Sequence, residues 1–221
     1  MPEKRCPSFS ILGDSISTLN GYTPTDGVFY HTALSQNTGI ASSKDTWWMQ
    51  VIDGFGGDLL VNNSYAGSTI CRDGYQPASS PWRIAKLRRE DLSPDYILVF
   101  SGLNDVAFYR TPTEFQEAYT SMLLEMKSAY PDTEIWCGTL CQGVLANPNL
   151  APFINFKHCT PLCEYNTCIR SSVSETGCHV ADIAAFEQGY RSIDGVHPNA
   201  KGMEQIAQMW LKCMRSEAIG K

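Results

Sequence analysis

Phe9-Ser10-Ile11-Leu12-Gly13-Asp14-Ser15 is an apolar run that breaks at a glycine and ends on a hydroxyl. Four more runs of this kind follow, at Leu59–Asn62, Tyr96–Phe100, Glu134–Thr139 and His179–Ile183. They are rich in Val, Ile and aromatic residues, as strands buried on both faces are. Helical patterns separate most of them. Thr46–Phe55 carries Trp47, Trp48, Val51, Ile52 and Phe55 at helical spacing, with the two tryptophans reading as core anchors. Thr113–Ala129 gathers Phe115, Tyr119, Met122, Leu123 and Met126 on one face, and Pro112 before it suits a first turn. Pro161–Ser174 and Ala200–Met214 read as the last two helices. Strands alternating with helices predict an α/β fold with a five-stranded parallel sheet and helices on both faces.

In such sheets ligands sit at the carboxyl ends of the strands. Ser15 follows the first run, Gly67 of "NNSYAGST" the second and Asn104 of "SGLND" the third. Asp194-Gly195-Val196-His197 lies between the fifth run and the last helix, so all these residues reach one rim. An aspartate three residues ahead of a histidine can set its carboxylate against the imidazole from the same loop. That carboxylate fixes the tautomer and stabilises the imidazolium formed when the histidine takes a proton from a serine. Gly67 and Asn104 could each supply a donor to a developing oxyanion. Each fragment alone also has a plain structural reading. Ser15 could be a helix cap, Gly67 a bend, Asn104-Asp105 a turn, and His197-Pro198-Asn199 a helix start with Asp194 as a local turn residue. Asp14 and Asp105 read as braces of their turns.

The chain has 221 residues, with 43% hydrophobic and 11% aromatic side chains, enough for the packed core of a single domain spanning residues 1–221. A net charge of −6 and the lack of a basic stripe argue against nucleic acid as a partner. No apolar run approaches the ~20 residues of a membrane helix, and no signal-like apolar region precedes the first strand. The expectation is a cytoplasmic protein without stable membrane insertion. Nine cysteines then read as reduced thiols. Cys159, Cys163, Cys168 and Cys178, with His158 and His179 nearby, raise the question of zinc, but their spacing lacks zinc-ribbon knuckles. They read as small buried hydrophobes, with no metal site.

Three segments are too long for plain connections: residues 17–45, 68–81 and 141–160. All leave strand ends on the expected catalytic rim, where they can build a substrate pocket. Tyr30, His31 and Tyr75 are the candidates for its wall.

Taken in order, "ILGDSIS", the glycine of "NNSYAGST", "SGLND" and "DGVHPNAKG" resemble the four sequence blocks of the SGNH hydrolases, also called GDSL esterases. The resemblance runs from Ser8 to about Met214. It implies a flavodoxin-like, three-layer α/β/α sandwich. It also implies Ser15 as nucleophile, His197 as general base and acid, and Asp194 as the residue orienting His197. The oxyanion hole would comprise the backbone N–H groups of Ser15 and Gly67 and the side-chain amide of Asn104. Where family members show Gly-Thr-Asn-Asp this chain has Gly102-Leu103-Asn104-Asp105, which keeps the asparagine. No cofactor is required by this chemistry.

The expected reaction is hydrolysis of short acyl esters, first among them O-acetyl groups on carbohydrates. Tyr22, Tyr30, Tyr75, Asn147 and Asn149 in the long loops suit a sugar-like leaving group. The alternatives are a lysophospholipase, lipase or thioesterase of the same fold, with "LAPFINF" at 150–156 as a short lid, and a glycan-binding protein without turnover. Retention of Ser15, Asp194 and His197 together argues against the binder. A flavodoxin-like nucleotide binder is weaker, because "GDSIST" has neither the P-loop lysine nor a dinucleotide glycine pattern.

Overall fold

The five apolar runs form the strands β1 (Ser8–Gly13), β2 (Asp58–Ser64), β3 (Tyr96–Phe100), β4 (Glu134–Gly138) and, later in the chain, a strand at His179–Ala181, in a computed structural model that describes residues 5–219. A further strand, β5 (Gly143–Leu145), precedes that later one, which is therefore β6, and β7 (Tyr190–Ser192) follows it. The main sheet has the order β2-β1-β3-β4-β6, and every pairing in it is parallel. One register shift between Phe9 and Ser10 interrupts the β1–β2 ladder.

The helices are α1 (Ser35–Thr38), α2 (Trp47–Gly54), α3 (Pro81–Ala85), α4 (Leu103–Ala107), α5 (Pro112–Ala129), α6 (Leu162–Thr176) and α7 (Ala200–Ile219). Helix α2 packs on α7 and α5 on α6, giving the expected three layers. The expected face of α5 is buried throughout, at Phe115, Tyr119, Met122, Leu123 and Met126. Its start is fixed locally. Thr111 accepts a hydrogen bond from the Glu114 N–H, the Glu114 carboxylate accepts one from the Thr111 N–H, and Pro112 fills the first turn. Trp47 and Trp48 are fully buried, and Trp47 stacks on Trp210 of α7 at 5.0 Å between ring centroids.

Two expectations need correction. Segment 141–160 is not merely a loop, since β5 within it pairs in parallel with β7. This two-stranded ladder ties the segment to the Asp194–His197 loop, and the Phe153 N–H donates to the Asp194 carbonyl at 2.7 Å. The alternative reading of Asn104-Asp105 as a plain turn also gives way, since Asn104 lies in the first turn of α4. Among the described residues, no group of three or more His, Cys, Asp or Glu side chains could hold a metal ion. Cys168 is buried on α6, Cys159 and Cys178 are half-buried and Cys163 is exposed. No helix among the described residues is long and apolar enough to cross a membrane.

Candidate active site

Strand β1 ends at Gly13, and the chain turns at once into a short 3₁₀ turn, Ser15–Ser17. Asp14 caps that turn by accepting a hydrogen bond from the Ile16 N–H at 3.0 Å, so Asp14, and not Ser15, is the capping residue. The Ser15 hydroxyl is thereby left for other partners. Its Oγ lies 3.0 Å from His197 Nε2, and His197 Nδ1 lies 2.6 Å from Asp194 Oδ2. The other carboxylate oxygen of Asp194 accepts the backbone N–H groups of Val196 at 3.0 Å and His197 at 2.7 Å. One aspartate therefore holds both the backbone and the ring of the same histidine. Gly195 between them has φ +89°, in the left-handed region open to glycine, which lets this tight loop close.

Burial works against the charge of Asp194, but hydrogen bonds from the His197 ring and from the two backbone N–H groups outweigh it. Its carboxyl is held below the ordinary carboxylate range. With Nδ1–H donating to that carboxylate, Nε2 presents its lone pair to the Ser15 hydroxyl, the arrangement a general base requires.

The insertion at 17–45 contributes to this site differently from expectation. Phe29 lies face to face on the His197 ring, with centroids 3.7 Å apart and planes 9° apart. The neighbouring Tyr30 is buried, and its hydroxyl donates to the Pro198 carbonyl at 2.8 Å. Two consecutive aromatics thus clamp the ring and the backbone of the histidine loop. Tyr30 is therefore corrected from pocket wall to internal support. His31 is exposed and borders a separate polar hollow with Tyr22 and Thr32. Tyr75 also lies outside the cavity lining, although its ring stands 3.7 Å from where a Cβ on Gly67 would be.

Ser15, Gly67, Asn104, Asp194 and His197 open into one cavity of about 510 Å³. Gly67 has φ +80°, so its backbone conformation strains any residue with a Cβ. The Asn104 amide donates one N–H to the Ser68 carbonyl at 2.8 Å, which leaves its second N–H free. The remaining wall includes Phe29, Ala66, Ala107, Ile154, Asn155 and His158. Phe108, Tyr109 and Phe153 also line it while remaining 58%, 68% and 71% exposed, so their rings form the mouth. Sequence reading passed over Phe108 and Tyr109, because an aromatic after a strand-end turn carries no periodic signal. A larger cavity of about 680 Å³ lies behind β5, lined by Val144, Leu145 and Glu187 among others, but it contains none of the triad-like side chains. Chemistry, not size, marks the site.

Beneath the site lies a buried charged group of residues. Burial pushes the Asp14 carboxyl up to about 6 despite the Ile16 N–H and the nearby His197. Burial likewise raises Asp105, whose carboxylate accepts the N–H groups of Ile70 at 2.8 Å and Cys71 at 2.9 Å. Arg83, fully buried, is drawn down to about 10 and stays charged at neutral pH.

A parallel α/β/α sandwich with a serine, a histidine and an aspartate in a hydrogen-bonded line at the strand ends defines a class of ester hydrolase. The model of the GDSL-like lipase/acylhydrolase family matches residues 7–214, and the chain belongs to that family. It is similar to a protein from Bacteroides ovatus described as a GDSL-like lipase, at 29% identity and a TM-score of 0.70, covering 96% of this chain and 100% of that one. A carbohydrate esterase family 2 enzyme with a carbohydrate-binding domain, from Corynascus thermopiles (Myceliophthora fergusii), shares the fold. It has 18% identity and a TM-score of 0.66, over 100% of this chain and 69% of that one. Est24, a carbohydrate acetylesterase from Sinorhizobium meliloti, also shares it, at 16% identity and a TM-score of 0.63 over 99% and 100% of the two chains. No curated protein matches the chain.

Proposed function

We propose that this hydrolase cleaves short acyl esters of carbohydrates, chiefly O-acetyl groups, with Ser15 as nucleophile, His197 as general base and acid, and Asp194 as its orienting partner. The observation that carries the reading is the unbroken line Asp194–His197–Ser15, at 2.6 Å and 3.0 Å, opening beside Gly67 and Asn104.

Ser15 Oγ attacks the ester carbonyl carbon as its proton passes to His197 Nε2. The carbonyl oxygen becomes an oxyanion held by the Ser15 and Gly67 N–H groups and the free N–H of Asn104. Each such donor is worth about 3–4 kcal/mol in the transition state. The intermediate collapses to an acyl-enzyme as His197 returns the proton to the departing alcohol. Water, deprotonated by the same imidazole, then attacks the acyl carbon; the bond from that carbon to Ser15 Oγ breaks, His197 returns the proton to Ser15, and the acid leaves.

The exposed rings of Phe108, Tyr109 and Phe153 support the sugar-like leaving group, offering flat apolar faces at the mouth with Asn155 and His158 available for hydrogen bonds. The carbohydrate esterases of the same fold are consistent with it. The outward exposure of Leu150 and Phe153 in "LAPFINF" favours a second reading, a lipase or lysophospholipase with a short apolar lid. A series of p-nitrophenyl esters from acetate to palmitate, with Ser15→Ala run alongside, separates the two. Ser15-dependent turnover that peaks at acetate supports the acetylesterase, a peak at long chains replaces it with the lipase, and full activity in Ser15→Ala refutes the nucleophile.

A further inference from the structure

Among the described residues, Arg83 is the only cation in the buried group beneath Ser15, and its hydrogen bonds there all go to neutral oxygens. Nη1 donates to the Ser68 hydroxyl at 2.7 Å and to the Gln76 carbonyl. Nη2 donates to the Gly13 carbonyl at 3.2 Å and to the Asn63 carbonyl. The ring of Tyr65 lies 4.8 Å from the guanidinium carbon. Burying a charge without a carboxylate partner is costly, and an apolar side chain could fill the same volume without that desolvation. The oxygens it grips belong to two structures. Gly13 and Asn63 are at the ends of β1 and β2, and Gly13 is two residues ahead of Ser15. Ser68 begins the loop that follows Gly67, and Gln76 lies within it.

Ser68 is where the parts of the proposed oxyanion hole meet. Its backbone follows Gly67, its carbonyl accepts the Asn104 amide at 2.8 Å, and its hydroxyl accepts from Arg83 while donating to the Gln76 carbonyl at 2.9 Å. The neighbouring Asp105 ties the same loop to α4 through Ile70 and Cys71. A planar fork of donors can hold oxygens on two sides at set angles, whereas an ammonium supplies a point charge on a flexible stem.

We propose that Arg83 is a positioning residue for the oxyanion hole, fixing through Ser68 the spacing between the Ser15 turn and the donors at Gly67 and Asn104. The inference rests on the reading of Ser15 as nucleophile. Arg83 does not touch substrate. It sets the geometry into which the carbonyl oxygen moves as it gains charge, so its loss weakens transition-state binding more than ground-state binding.

The test compares wild type, Ser15→Ala, Arg83→Lys and Ser68→Ala on p-nitrophenyl acetate, with phenylboronic acid as a tetrahedral mimic and thermal unfolding as the check on folding. Ser68→Ala removes only one hydroxyl and serves if Arg83→Lys does not fold. The expected result is a fall in kcat of about ten- to a hundredfold with KM changed by less than about twofold. The boronic acid should lose affinity by a similar factor. Unchanged kcat in folded variants overturns the proposal, as does a rise in KM with kcat intact or a boronate affinity that does not move. A wild type without Ser15-dependent turnover instead overturns the nucleophile reading itself, and the inference with it.

Discussion

Replacing Asp14 with asparagine removes a buried carboxylate while keeping its shape and its acceptor for the Ile16 N–H. Burial dominates the environment of Asp14. The fork of Arg83 does not offset it, because its hydrogen bonds are spent on Ser68 and on carbonyls. The folded-state carboxyl therefore sits at about 6 against an ordinary 3.8. A group raised on folding contributes its full stability below 3.8, and that stability is lost as pH rises through about 6. Above both values the cost reaches about 3 kcal/mol, at 1.36 kcal/mol for each tenfold change in proton affinity. Asparagine does not titrate. The stability of Asp14→Asn relative to wild type should thus climb by about 2–3 kcal/mol between pH 4 and pH 8, with most of the rise between 4 and 6. Urea unfolding of both proteins at each pH measures this, since every other titrating group shared by the pair cancels. A stability difference that stays flat, or that shrinks as pH rises, would refute the claim that desolvation outweighs the hydrogen bond and the nearby positive charges.

Tyr109 has φ +57° just past the end of α4, and its side chain is mostly exposed. Tyr109→Gly should stabilise the fold by about 0.5–1 kcal/mol by relieving left-handed strain, while raising KM for aryl or sugar esters; equal KM values would remove it from the proposed mouth. Tyr30→Phe deletes the donor to the buried Pro198 carbonyl and should cost about 1–3 kcal/mol in chemical unfolding, with a lower kcat as the histidine loop loosens; wild-type values for both would show that the clamp is dispensable. Thr111→Ala breaks the capping box of α5 and should lose about 1 kcal/mol with no effect on turnover, read by unfolding and by steady-state rates. Phe153→Ala should raise KM for sugar acetates and leave kcat on p-nitrophenyl acetate nearly unchanged, whereas a loss confined to long-chain esters would favour the lid.

Much of this protein was legible because its decisive signals are local. The face of α5 follows from helical spacing, and its start follows from Thr111, Pro112 and Glu114, which satisfy the end of the helix without help from elsewhere. Asp194 and His197 meet within one four-residue loop, so their pairing needed no knowledge of the fold. Parallel strands buried on both faces leave continuous apolar runs, and their carboxyl ends place Ser15, Gly67 and Asn104 on a single rim.

The parts that sequence reading missed depend on partners distant in the chain. The ladder of β5 with β7 joins two three-residue strands, too short for any period to show. Phe29 and Tyr30 lie in an insertion with no repeating pattern. Only packing against a loop some 168 residues away makes Tyr30 a support for that loop and not a wall of the pocket. An arginine is ordinarily an exposed residue, so no pattern foretold Arg83 buried under Ser15. By itself the sequence determined the strand and helix order and the local geometry of each chemical fragment, because backbone propensity, capping and apolar spacing act over a few residues. Tertiary structure alone decided which aromatics face the cavity, what braces the histidine, and where the buried charges lie, because those outcomes depend on burial and on contacts that exist only once the sheet has assembled.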